Sequence, residues 1–152
     1  MFDIDRVRAG WQREAAAIDK IVDRLDEQAA KAALREDGWS AQDLIGHIAT
    51  AARGFVAYVD SKQAGAIDVN AFNHQQRERN RGRPWADVQR YWRRTRDETS
   101  AYLAQLDASL AERPVHLPWL PAIRNAGDAL RALIIHTRGH REELSHVDRL
   151  AS

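Results

Sequence analysis

The chain contains no cysteine. That absence excludes disulfide staples, a protein thiolate as nucleophile and any thiolate-ligated metal, so thiol chemistry would need a thiol brought in from outside. Apolar runs near the roughly 20 residues that span a bilayer are also missing, and the start, "MFDIDRVRAG", has no basic segment leading into an apolar one. A cytoplasmic protein without membrane contact is therefore expected. Neither sign of charge is in excess: 23 Lys and Arg against 22 Asp and Glu leave +1, too little for a protein dedicated to nucleic acid. Strand signals are lacking too, because no stretch alternates apolar and polar residues for long between turn residues.

What the sequence does have is helical periodicity over a length of 152 residues, enough for one domain whose core needs no staple. Asp3 can cap a first helix from Ile4 to Leu34, with Val7, Trp11, Ile18, Val22, Leu25 and Ala29 on one stripe and Gly38 as the break. Ser40 and Asp43 form a capping-box pattern ahead of Leu44, Ile48, Ala51 or Ala52, Phe55 and Val59. Between Ser61 and Arg83, Gly65 and Gly82 bracket a polar segment that predicts a short helix after Asp68. Pro84 suits the first turn of a third long helix, whose seam runs Val88, Trp92, Thr95, Thr99, Tyr102, Leu106 and Leu110. "ERPVHLPWLPAIRN" carries three prolines and reads as a connector, after which a fourth helix runs from Gly127 to Leu150. No repeat or domain boundary interrupts this order, so the expectation is a single all-α domain over 1–152: a four-helix bundle with a partly helical excursion between its second and third helices.

On the fourth helix, Leu130, Leu133, His136, His140, Leu144 and Val147 advance by three or four residues, which assigns both histidines to the bundle interior. Spacing of four brings two imidazoles to one face, about 5–6 Å apart at Cβ. Two buried rings side by side would repel if both were protonated, and each neutral ring needs partners for two nitrogens; a divalent cation answers both demands. HxxxH by itself is a weak motif, and a lone core histidine satisfied by its neighbours is the competing reading. His47 lies beside the core stripe of the second helix, whereas His74 and His116 fall between the long helices.

Charge is concentrated in one place. From Arg77 to Arg96 the segment "RERNRGRPWADVQRYWRRTR" holds eight arginines against Glu78 and Asp87. It reads first as a solvated helix face, second as an anchor for a carboxylate-bearing small molecule, and last as a nucleic-acid contact.

"GWSAQDLIGHIATA", followed by the bundle pattern and "LIIHTRGHREEL", resembles the DinB-like or YfiT-like metalloenzyme family, which includes bacillithiol and mycothiol transferase relatives. The resemblance covers essentially the whole chain. It implies that His47, His136 and His140 form a three-histidine site with an open position, the donor set of a catalytic divalent metal. Zinc is the conservative assignment, and imidazole also suits nickel, iron or manganese. The mycothiol-dependent isomerase branch differs in using a glutamate and a histidine four apart on its last helix; here His136 stands where the carboxylate would be. Glu142 and His146 are spaced in that way, but His146 sits roughly 80° around the helix from His136.

The expected function is that of a metal-dependent enzyme acting on a small molecule, either transferring a low-molecular-weight thiol to an electrophile or hydrolysing with water at the open position. A mycothiol-dependent isomerase and a non-catalytic bundle that sequesters a reactive small molecule are the alternatives. Tyr58, Asn73, Asn80, Trp119 and Arg124 are the candidate substrate contacts, and Glu143 the group that orients a ligand histidine. Five tryptophans, at 11, 39, 85, 92 and 119, exceed what one small bundle readily buries; with the familial resemblance they suggest a homodimer.

Overall fold

The computed structural model describes residues 1–60 and 67–150, the side chains of 147–150 excepted. Among the described residues there are six α-helices, in chain order α1 (Ile4–Arg24), α2 (Glu27–Lys31), α3 (Ala41–Val59), α4 (Val69–Arg81), α5 (Trp85–Gln105) and α6 (Ala126–Leu150), with a 3-10 helix at Ala108–Glu112. The four long ones, α1, α3, α5 and α6, form the bundle. α3 packs against both α5 and α6, and α1 against the same two, so α1 and α3 lie across one diagonal and α5 and α6 across the other. Leucine, isoleucine and valine fill the interior together with Trp11, Trp92 and Phe55, each almost fully buried. None of the three histidines, His47 on α3 and His136 and His140 on α6, belongs to this hydrophobic cluster, so its apolar surface can hold the bundle together on its own.

The first expected helix is in fact two. Asp3 caps α1 as read, accepting from the amides of Asp5 and Arg6, but the helix stops at Arg24 and Asp26 caps α2 by accepting from Ala29. No glycine or proline marks the break. Leu25 turns into the core, and its carbonyl, released from the helix, accepts the indole N–H of Trp85 at 3.0 Å; a competing aspartate cap and a tertiary partner override the periodicity. Gly38, at φ +84°, then makes the left-handed turn that returns the chain to Ser40. The capping box forms, with Ser40 Oγ accepting from the Asp43 amide and the Asp43 carboxylate from the Ser40 amide.

Three further boundaries differ from the sequence reading. Pro84 is the N-cap of α5, just outside the first turn, and α5 ends at Gln105. The seam continues through Leu103, fully buried, while Tyr102 is only partly covered and Leu110 belongs to the 3-10 helix. α6 begins at Ala126, because Asn125 caps it by accepting from the Asp128 amide at 2.8 Å. Gly65 and the side chain of Val147 lie outside the described residues.

The excursion is helical where expected, and Asp68 caps α4 by accepting from Ala71. α4 is seated on α3 by a two-way amide clamp. Asn80 Nδ2 donates to the Gln42 carbonyl at 2.7 Å, and Gln42 Nε2 donates to the carbonyls of Asn80 and Arg83 at 2.8 and 2.9 Å. Gly46 permits this approach, since a Cβ there would lie 2.6 Å from Asn80 Oδ1. On the far side of the bundle Glu14, 1% exposed, accepts from Arg138 and Arg141 and ties α1 to α6. Burial pushes its carboxyl pKa up, but the hydrogen bonds from Arg141 and Arg138 outweigh that and hold it below the usual value.

Candidate metal centre

α3 and α6 cross so that His47 meets His136 and His140. The Nε2 atoms of His47 and His136 are 3.2 Å apart, and one ligand atom from each of the three residues lies within 4.8 Å of the others. Ring centroids are separated by 5.1 Å for His47 and His136, 4.8 Å for His47 and His140, and 4.6 Å for the pair on α6. The pair converges because of its i,i+4 spacing, and the capping box at Ser40–Asp43 fixes where α3 starts and therefore where His47 points. Among the described residues no other group of three histidine, aspartate or glutamate side chains comes together in this way.

Electrostatics keep these rings neutral. Burial first, then the proximity of His136, His140 and the Arg35 guanidinium, lowers the pKa of His47 to about 3. Burial, then His140, lowers that of His136 to about 4. His140 is lowered mainly by burial, while the Glu143 carboxylate pulls the other way. Neutral imidazole is the form that donates a lone pair to a cation.

The donor set fits a divalent ion. Two imidazole nitrogens on one tetrahedral zinc, each about 2.0–2.1 Å from it, would stand about 3.3 Å apart, close to the His47–His136 separation. His140 Nδ1 lies 3.1 Å from Glu143 Oε1, which holds the ring so that Nε2 is left to face the group. The other Glu143 oxygen accepts from Arg35 at 3.3 Å. His136 Nδ1, by contrast, is buried without a hydrogen-bond partner among the described residues.

Two recesses border α4 and share His47, Thr50, Asn73 and Gln76. One, about 180 Å³, is apolar, walled by Phe55, Tyr58, Phe72 and Trp119 and reaching His136. Trp119 stands edge-on to both Phe55 and Tyr58, with centroids 5.4 and 5.0 Å away. The other, about 300 Å³, is polar and lined by Trp39, Asp43, Arg77, Arg79, Asn80 and Arg83, among others.

The expected substrate contacts divide accordingly. Tyr58 and Trp119 wall the apolar recess, Asn73 borders both, and Asn80 lines the polar one while also clamping α4. Arg124 lies apart from them: its side chain is exposed and lines neither recess, and its carbonyl closes the connector by accepting from the Val115 amide at 3.0 Å. His74, His116 and His146 are exposed and outside the three-histidine group.

Several lining residues carry no site signal in the sequence. Trp39 stands edge-on to His47 at 5.7 Å, with the guanidiniums of Arg35 and Arg77 each 5.3 Å from its ring. Phe72 and Gln76 were hidden in an excursion without core periodicity. The arginine-rich segment splits: Arg90, Arg93 and Arg96 pair with Asp87, Asp23 and Asp19 on the solvated face of α5, whereas Arg77, Arg79 and Arg83 line the polar recess.

The mycothiol-dependent maleylpyruvate isomerase superposes with a TM-score of 0.78 at 11% identity, covering 93% of this chain and 60% of that one. The chain thus spans about 60% of that enzyme's length. YfiT from Bacillus subtilis, described as "a probable metal-dependent hydrolase with an unusual four-helix bundle topology", superposes with a TM-score of 0.76 at 14% identity, covering 97% of this chain and 87% of that one. At these identities the likeness is one of fold. No curated protein sequence matches significantly. The family model of the DinB superfamily matches residues 11–144, nearly the whole bundle and all three histidines, and the chain belongs to the DinB superfamily.

Proposed function

We propose that the protein is a divalent-metal-dependent enzyme whose ion is held by His47, His136 and His140 and which transfers a low-molecular-weight thiol to a small electrophile. The observation that carries this reading is the convergence of three neutral imidazoles on one point beneath two recesses. When bound, the cation supplies Lewis acidity, which lowers the pKa of a thiol or water and makes a nucleophile available near neutral pH. The chain's own residues do the rest. Glu143 fixes the orientation of His140, and Phe55, Tyr58, Phe72 and Trp119 exclude water from one side of the site.

Two recesses meeting at His47 offer places for two reactants, which suits transfer better than hydrolysis. The absence of cysteine means that the thiol is a cosubstrate. Likeness in fold to an isomerase that depends on mycothiol supports the thiol, and likeness to YfiT supports the metal. Hydrolysis is the second reading, favoured by the description of YfiT alone.

The test is turnover of an activated alkyl or maleyl electrophile by zinc-restored protein, with and without an added small thiol. Thiol-dependent turnover that a chelator abolishes and zinc restores is expected. Turnover without thiol would replace transfer by hydrolysis, and equal turnover in chelated and restored protein would overturn the metal-dependent reading.

A further inference from the structure

The polar recess carries more positive charge than the protein itself answers. Arg77 is partly engaged: its Nη2 donates to the Asp37 carbonyl at 3.1 Å, and its Nε stands 3.7 Å from the Asp43 carboxylate. Asp43 is the sole carboxylate among the lining residues described, and it is already committed to capping α3. Arg79 and Arg83 have no carboxylate partner among the described residues, and Arg83 is held with its guanidinium 5.4 Å from the Tyr91 ring. Every other arginine of this segment, at 81, 90, 93, 94 and 96, stands within 4.0 Å of an acidic side chain. The two left unpaired are those that face the recess bordering His47.

We infer that the polar recess is an oxyanion-recognition site: one of the reactants carries a carboxylate or phosphate group, which Arg79 and Arg83 bind while the reacting end lies toward His47. The guanidinium fork matches both groups, and such charge-assisted hydrogen bonds are stronger than neutral ones. The apolar recess, walled by aromatic rings, takes the part of the reactants that bears no charge. This assignment rests on the reading of the three histidines as the reacting centre for its direction, but not for the binding itself.

The experiment is therefore an NMR titration of metal-free protein with succinate, with inorganic phosphate, and with succinamide as the neutral counterpart. Shifts confined to Arg77–Arg83 and the α3 residues facing them, and binding of at least one anion about tenfold tighter than succinamide, are expected. The tighter of the two anions identifies the group. R79Q/R83Q should abolish the preference, whereas R13Q/R131Q, which removes the same charge from the α1–α6 face, should leave it. Equal affinity for anions and amide would overturn the proposal, as would equal losses in the two double variants. Since no metal is present, failure of zinc binding elsewhere leaves this result readable, and failure here leaves the metal reading intact.

Discussion

A buried imidazole is a ready ligand only while it stays neutral, and the three histidines at the α3–α6 crossing are held that way chiefly by burial, His47 and His136 also by the neighbouring histidines. The same arrangement makes the metal-free protein sensitive to acid. In the unfolded chain these rings take up protons near their ordinary value of 6.5, whereas the folded values of His47 and His136 are about 3 and about 4. Between those limits the unfolded state binds more protons, so stability is complete above about pH 6.5, declines as pH falls below it, and levels off near the folded values. Urea midpoints of metal-free protein should therefore drop between about pH 7 and about pH 5, and the drop should shrink in H47Q/H136Q. An identical drop in that variant would show that the histidines do not carry the effect. Glu143 acts on the site through His140 Nδ1, so E143Q should weaken zinc binding about tenfold while leaving helical content unchanged. Unaltered affinity would assign Glu143 to its contact with Arg35 alone. HxxxH and the capping box were legible in the sequence because helical spacing fixes both. The position of Arg124, away from both recesses, was not legible, because a proline-rich connector has no period from which the direction of a side chain can be read.

α4 joins the fold to the site, and its seat rests on a few atoms. It packs chiefly on α3, its residues border both recesses, and the Asn80–Gln42 clamp closes over Gly46. G46A would drive a methyl group into the Asn80 amide, which is backed by a buried hydrogen-bonded pair and has little room to give. We expect overpacking of about 1–3 kcal/mol, concentrated in α4: amides of Val69–Arg81 should exchange faster while those of the bundle interior keep their protection. Unchanged exchange in α4 would contradict the clamp. The existence of α4 was legible from Asp68 and the polar composition between the glycines, but its contacts were not. A glycine's fitness for close approach depends on a partner 34 positions away in the chain, which no local pattern encodes. The break at Leu25 was invisible for the same reason, since its compensating partner, the Trp85 indole, comes from α5.

Taken as one body, the chain separates stability from chemistry. Three tryptophans, Trp11, Trp85 and Trp92, are buried in the bundle, and the other two, Trp39 and Trp119, stand at the site. The bundle order was legible because long stripes with capping residues dominate the sequence, whereas the diagonal placement of α1 and α3 is a tertiary fact that periodicity does not contain. Because a large apolar cluster fills the bundle and the three histidines are not part of it, removing metal should leave the helices formed, unlike a zinc finger. The central claim is that His47, His136 and His140 act together as ligands of one ion. Its most direct test is zinc content by elemental analysis, after chelation and reloading, of the wild type and of H47A, H136A and H140A, each checked for helical content by circular dichroism. The account predicts about one zinc per chain in the wild type, a sharp loss in every single variant and unchanged helicity throughout; full zinc content in all three variants would contradict it.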